Sequence, residues 1–260
     1  MLLLVLLLLV MPGALRAQSA AELVASGDSL EPMMHPELTL PYYQRALALD
    51  SMSAPVLWRV ARGHTDIAKQ IEGRSDSVRR RRDSLYAIAR DFAERSVRAD
   101  SNDPDAHFSL ALALGRLALT RGGKERVRFG RIIYDEAARA IALDPSHDGA
   151  HHILGEWHAE VRRLPGMTRF FAKTLFGGKF LDRASWDSAT AHMETAVALR
   201  PSYLYHHLVL ARIYLDLDRA PDAVVQLQEL DKWPDADVLD PRHRRRAAEL
   251  LEEIRKKSAR

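Results

Sequence analysis

The side chains with the greatest chemical capacity in this sequence are its histidines. There are 11 of them, including the adjacent pairs His151-His152 and His206-His207, with His147 and His158 close by. His147 and His151 stand four residues apart, a spacing that on a helix places two imidazoles on one face within reach of one metal ion. A hydrolytic zinc site would add a His-Glu-x-x-His run, and the sequence has none. Glu156 and Glu160 are also four apart and offer a seat for a cation or a basic ligand, although such a pair more simply makes an acidic stripe. No serine lies in a Gly-x-Ser-x-Gly elbow, and Gly177-Gly178 lacks the strand–turn–helix setting of a phosphate loop. The absence of cysteine removes disulfides, thiolate zinc sites, a thiol nucleophile and N-terminal lipidation. The residues therefore assign no catalytic group, no metal and no cofactor, and the chain is expected not to be an enzyme.

The elements that carry these side chains are helical. The chain has 260 residues, 47% hydrophobic and 28% charged, which is globular composition. Basic residues number 38 and acidic residues 35, an excess of only +3, which argues against a nucleic-acid partner. Alanine, leucine, arginine and glutamate dominate, with apolar positions three and four apart and no hairpin signal. Breakers recur at Pro104, Gly122-Gly123, Pro145, Pro165-Gly166, Gly177-Gly178, Pro201 and Pro234. Regular breakers in an all-helical chain call for a repeat search.

Four segments repeat: Ala46–Asp50, Ser96–Asp100, Ala140–Pro145 and Ala196–Pro201. After each, the next helix carries Leu57, His107, His151 or His207 in its first turn, then Val60, Leu110, Leu154 or Leu210. A small residue follows every time, namely Ala61, Ala111, Gly155 or Ala211. This is the tetratricopeptide pattern, in which the small residue admits a close helix partner and the large ones fill the layer between. The shared position of His107, His151 and His207 makes them packing wedges rather than ligands. The second helices want small, bulky and small residues, which Ala189, Met193 and Ala196 supply. The sequence thus predicts an all-α, right-handed solenoid of tetratricopeptide-type helix pairs over residues 38–257, with repeats starting near 54, 104, 148 and 204. Pro241–Lys257 is expected to be a polar capping helix. The start-to-start spacings are 50, 44 and 56 residues. Against a period of about 34 they imply insertions of roughly 16, 10 and 22 residues between paired helices.

The N-terminus reads as an address. Leu2–Val10 is an unbroken apolar run, broken by Pro12-Gly13 and followed by Ala14–Ala17. This predicts a signal peptide over residues 1–17, too short to span a bilayer as a helix. Residues 18–37 are expected to form a flexible lead-in. The expected location is a bacterial periplasm or the outside, as a soluble protein and not a lipoprotein.

The stretch Ala140–Leu230 resembles the tetratricopeptide domain of the regulator of microtubule dynamics family. The resemblance rests on Gly155-Glu156-Trp157, on Ala172–Gly178 in the long insertion, on Ser185–Ala189 and on Pro201-Ser202-Tyr203. It implies a helical adaptor, with microtubule association and contact-site or lipid-binding roles for some members.

Two surfaces are candidates for binding. A solenoid of this type exposes the inner face of each first helix. Those positions hold Trp58 and Arg62, Phe108 and Arg116, His152 and Glu156, then Tyr205, Leu208 and Arg212. Aromatic and arginine side chains together are the composition of protein-binding hot spots, so a protein or peptide partner is expected in the concave groove. The second surface is the insertion 162–182, with Phe170, Phe171, Phe176 and Phe180 interleaved with Arg163, Arg169, Lys173 and Lys179. Phenylalanines among cations suit an anionic lipid or an acidic amphipathic ligand, unless the rings fold back into the solenoid. The runs Arg79–Arg82 and Arg242–Arg246 lie in helices rich in acidic residues and read as solvated faces.

Overall fold

The computed structural model describes residues 18–259; the segment read as a signal peptide lies outside the described residues. All regular structure among the described residues is helical. The helices are α1 (Ala20–Leu30), α2 (Pro36–Leu49), α3 (Ala54–Gln70), α4 (Asp76–Ala99), α5 (Pro104–Ala118) and α6 (Gly123–Leu143). There follow α7 (Asp148–Arg163), α8 (Gly166–Leu175), α9 (Trp186–Leu199), α10 (Leu204–Asp216), α11 (Ala220–Glu229) and α12 (Asp240–Ser258). Short 3-10 turns occupy Glu31–Met33, Gly178–Arg183 and Leu230–Lys232. Among the described residues no helix is long and apolar enough to cross a membrane.

The helices pack as pairs: α1 with α2, α3 with α4, α5 with α6, α7 with α9 and α10 with α11. Each pair packs on the next, and α12 lies over α10 and α11. This is the helical solenoid that the periodicity predicts. The residues expected to start repeats, Ala54, Pro104, Asp148 and Leu204, are the first residues of α3, α5, α7 and α10.

Local chemistry explains the punctuation. Asp50, Asp100 and Asp144 follow α2, α4 and α6 in extended backbone. Their carboxylates accept hydrogen bonds from the backbone N–H groups of Met52 (3.2 Å), Asn102 (2.8 Å) and Ser146 (2.9 Å). Each aspartate therefore closes the turn that feeds the next first helix. Asp103 then caps α5 through the N–H groups of Asp105 and Ala106, and Pro104 occupies the first helical position.

The repeated histidine is a staple across that turn. Nε2 of His107, His151 and His207 lies 3.0, 3.1 and 2.8 Å from the carbonyl oxygens of Ser101, Pro145 and Pro201. Each carbonyl lies six residues upstream in the inter-repeat turn. Nδ1 of each ring faces the second helix of its own pair, at Glu136, His192 and Gln226. One imidazole thus ties a turn and both helices of a pair. Leu57 fills the same place in α3 by packing alone, with no exposed surface.

Three expectations are corrected. Residues 20–30 of the expected flexible lead-in are helix α1, started by a capping box in which Ser19 and Glu22 exchange hydrogen bonds. The α1 residue Asp28 accepts Tyr43 Oη–H at 2.8 Å and two bonds from Arg59 at 2.8 and 2.9 Å, which fixes α1 to α2 and α3. The pairing of α1 with α2 also extends the solenoid N-terminally beyond the expected start at residue 38. Finally, the first two insertions are taken up largely as helix. The helices α4 and α6 run to 24 and 21 residues because good helix formers without a breaker extend them.

Close approach between α7 and α9 depends on Gly155. A Cβ there would lie 2.5 Å from Met193 Cγ and 3.2 Å from the Ala189 carbonyl oxygen. Met193 is itself fully buried, so it has nowhere to move. Gly155→Ala is expected to destabilise the fold by about 1–3 kcal/mol despite alanine's better helix propensity. Ala211→Gly, which removes volume at the equivalent position, is expected to cost about 1 kcal/mol. Urea denaturation midpoints of the two variants check the order.

Candidate functional site

The concave face is built by α3, α5, α7 and α10, and the chain itself occupies much of it. Trp58 is half-buried beneath the Arg59 guanidinium, 4.1 Å from the ring centroid. Arg62 reaches Glu31 at 3.2 Å and Asp66 at 3.7 Å. Phe108 packs on the first turn of α7, 4.7 Å from the His147 ring and against Gly149. His152 Nδ1 meets His206 Nδ1 at 2.9 Å, and Tyr205 Oη donates to Glu156 at 3.0 Å. Leu208 is buried, and Arg212 lies 3.9 Å from Glu160. Eight of these nine candidates are engaged with neighbours within the chain. The exception is Arg116, which has no carboxylate within 4.0 Å among the described residues.

The segment before α12 and the first turn of that helix cross the concave face. Asp237 accepts Tyr203 Oη–H at 3.3 Å and lies 3.5 Å from Lys69 Nζ. Lys69 also reaches Asp66 at 2.8 Å. Arg242 pairs with Glu72, and His243 stacks on Tyr205 with centroids 4.6 Å apart. Burial opposes the charge on Lys69, but Asp66, Tyr203 and Asp237 hold its pKa above the ordinary lysine value. Burial likewise opposes ionisation of Glu156. The His152 ring 3.7 Å away, the Arg116 charge and the Tyr205 hydroxyl bond outweigh it and bring that carboxyl down to about 2. The segment before α12 is held by Asp240, which accepts the N–H groups of Ala236 and Asp237 at 2.8 Å each. Arg244 clasps it further through Asp235 and the carbonyls of Leu230 and Trp233.

The insertion lies on the outside. Its helix α8 is anchored by Ala172 and Leu181 around Gly178, where a Cβ would lie 2.7 Å from the Ala172 carbonyl. Phe180 turns inward, 6.1 Å from Trp157. Phe170 and Phe171 remain 58% and 47% exposed, alongside Met167, Leu175 and Phe176. Of the cations named there, Lys173 pairs with Asp182 at 2.6 Å and Arg163 with Asp216, whereas Arg169 and Lys179 have no ion-pair partner among the described residues. The insertion is therefore a ridge of apolar side chains with one ring plugged into the solenoid.

Sequence reasoning missed where the two arginine runs go. They meet. Two adjoining cavities of about 620 and 610 Å³ open between the end of α3, the start of α4 and the start of α12. Arg79, Arg80 and Arg82 of α4 line them together with Arg242 and Arg245 of α12. Lys69, Arg74 and Arg116 complete the cationic lining. One local cue existed, since Arg82 has no acidic residue three or four positions away. The convergence itself spans more than 150 residues and depends on the closure at Lys69.

The histidines gather nowhere as a ligand set. Among the described residues no group of three or more His, Asp or Glu side chains is disposed to hold a metal ion.

A family model described as regulator of microtubule dynamics protein 1-3 matches residues 23–255. The chain belongs to that family. Regulator of microtubule dynamics protein 1 of Bos taurus is 27% identical over 203 residues, covering 78% of this chain and 62% of that protein. The human protein 1 is 25% identical over 202 residues, covering 77% and 62%. Regulator of microtubule dynamics protein 3 of Bos taurus is 25% identical over 169 residues, covering 64% and 34%. The chain thus spans less than two thirds of the length of these relatives. Among solved structures, a thermophilic TPR protein from Thermus thermophilus superposes with a TM-score of 0.61 at 18% identity, covering 90% of this chain and 99% of that one. That likeness shows the tetratricopeptide fold. The expectation of a periplasmic or secreted location is overturned, because the curated relatives are eukaryotic regulator of microtubule dynamics proteins.

Buried imidazoles give this regulator of microtubule dynamics fold an acid limit. Burial and the neighbouring His192 push His158 down to about 4. Burial, only partly offset by Asp148, brings His206 to about 4 as well. Both folded values lie below the ordinary 6.5, so between pH 6.5 and 4 the unfolded chain binds protons that the folded chain refuses. Stability is therefore complete above that window and falls as the pH drops through it, by on the order of 1 kcal/mol per pH unit for each histidine. Urea midpoints at pH 7, 5.5 and 4 are expected to fall in that order, with a shallower fall in His158→Gln.

Proposed function

We propose that the chain is a non-catalytic protein-interaction scaffold whose partner docks on the α8 ridge. The tetratricopeptide fold supports a protein-interaction role. The observation that carries the finer reading is the exposure of Met167, Phe170, Phe171 and Leu175 on a single ten-residue helix. A contiguous apolar patch of this kind costs solubility and marks an interaction site. Its aromatic content supplies rigid contact area, and Arg169 and Lys179 give it a basic rim. The concave groove is the less favoured route for a peptide, since Tyr203, Asp237 and His243 already fill it.

A second reading is lipid handling, and the same exposure favours it. Phenylalanines with flanking cations suit an anionic membrane surface as well as a protein. The two readings separate in one comparison. The double substitution Phe170→Ser/Phe171→Ser leaves the anchoring Ala172, Gly178 and Leu181 intact and is expected to preserve the melting temperature within about 2 °C. A protein partner captured by the full chain should be lost by at least about tenfold with this variant, a change of about 1.4 kcal/mol. Flotation with phosphatidylserine vesicles reads the alternative. Binding to vesicles that the substitution abolishes, without any captured protein that depends on these rings, would overturn the scaffold reading.

A further inference from the structure

We propose that the arginine-lined basin between α4, the end of α5 and α12 is a binding site for a compact, soluble, multiply phosphorylated polyol. This site is separate from the α8 ridge and does not rest on the docking reading above.

The first argument is uncompensated charge. Eight cationic side chains line the two adjoining cavities, against the carboxylates of Glu72, Asp76 and Asp83. Asp76 is taken by Arg79 and Glu72 by Arg242, while Lys69 is satisfied from outside the lining by Asp66 and Asp237. Asp83 turns one oxygen to Arg121 at 3.5 Å. Arg74, Arg80, Arg82, Arg116 and Arg245 are left with no carboxylate within 4.0 Å among the described residues. Five guanidinium groups without a contact ion pair around one open cleft repel one another, with Glu156 offsetting part of the charge of Arg116. Here their backbones are held by separate elements. Arg116 is fixed on α5, Arg245 on the clasped α12, and Arg80 and Arg82 on α4.

The second argument is chemical shape. Guanidinium forks match phosphate oxygens in pairs, and several forks converging from different directions suit several phosphates on a small frame. The cavity volumes of about 620 and 610 Å³ lie in the range of small-ligand sites. The third argument concerns the frame itself. Asp83 Oδ1 is buried in the lining without a hydrogen-bond partner. It cannot accept from a phosphate that carries no proton, but it can accept from a hydroxyl on the same ligand. The Tyr86 hydroxyl, in the same lining, makes no hydrogen bond among the described residues and is free to donate.

Competing occupants fit less well. An acyl chain needs an enclosed apolar tunnel, and the apolar lining is limited to Ile71, Leu119, Leu239 and the Tyr86 ring, with Leu119 69% exposed. An extended acidic peptide needs a continuous track, and the channel beyond the basin is closed by Lys69, Asp237 and Tyr203.

The test is isothermal titration calorimetry on the full chain at 150 mM salt with myo-inositol 1,4,5-trisphosphate, which keeps free hydroxyls beside its phosphates, inorganic pyrophosphate, a polyglutamate peptide and phosphatidic acid vesicles. Saturable binding of the inositol phosphate, tighter than pyrophosphate and than the peptide, is expected. Arg116→Gln and Arg82→Gln/Arg245→Gln should each weaken it by at least about tenfold, the loss of one or more charge-assisted contacts. Arg128→Gln, on the exposed face of α6, should not. Asp83→Asn should weaken the polyol phosphate and spare pyrophosphate. Circular dichroism confirms that each variant is folded, and a variant that is not is replaced by Arg80→Gln. Absence of saturable binding would overturn the proposal. So would stronger binding of the peptide, binding confined to vesicles, or equal loss with Arg128→Gln.

Discussion

Lys69 is the point on which the rest of the molecule turns. Its side chain is 8% exposed, and its ammonium lies between Asp66 of its own helix and Asp237 of the segment before α12. A buried ammonium is costly unless it is paired and hydrogen-bonded, so the two carboxylates and the Tyr203 hydroxyl define one geometry for the chain's two halves. Repeat stacking alone leaves a solenoid free to vary its curvature, because each repeat touches only its neighbours. A contact between residues 69 and 237 removes that freedom. It converts an open concave groove into a closed polar channel and, as a by-product, brings the arginines of α4 and α12 to a common rim.

This explains which parts of the molecule were legible in the sequence. Helix identity, pairing order and the starts at Ala54, Pro104, Asp148 and Leu204 follow from local patterns: breakers, capping residues, small residues at close approaches. The histidine position was legible as packing, and the staple geometry adds the reason. Nε2 reaches a carbonyl six residues upstream in all three repeats. The lead-in was misread because Gly27, Ser26, Ser29 and Pro32 suggest a loop, whereas Gly27 is there to admit the Tyr43 ring. A Cβ at Gly27 would lie 2.5 Å from Tyr43 Cε1. Composition cannot distinguish a glycine that loosens a chain from one that lets an aromatic ring in.

The candidate site was less legible, for a different reason. Standard repeat positions name Trp58, Phe108, Glu156 and Tyr205 as inward-facing candidates. They do not predict what those residues meet, because that depends on the total curl of the solenoid and on non-repeat segments. Phe108 meets the next repeat, Tyr205 meets His243 of the cap, and Arg116 feels the charge of Glu156 without a contact ion pair. The arginine runs fare likewise. In sequence, each is a charged stretch with acids nearby. In space, Arg244 is a clasp, Arg246 a surface ion pair with Glu249 and Glu253, and Arg242 a bridge to Glu72. A single run divides into roles that charge counting treats as equal.

The division of surfaces has a physical logic. A closed solenoid cannot use its concave face to receive a long partner, so an apolar docking surface has to be carried outside. The long insertion between α7 and α9 does this cheaply, because it enters and leaves at the ends of paired helices without disturbing the interface at Gly155 and Met193. Its anchor is small, Ala172 and Leu181 around Gly178, so the outer side chains of α8 contribute little to the fold and are free to serve recognition. The basin obeys the opposite rule. Its cations sit on rigid elements whose positions are set by the closure, and their mutual repulsion is a standing cost. That cost is sustained by the Lys69 network, and it is relieved when an anion enters.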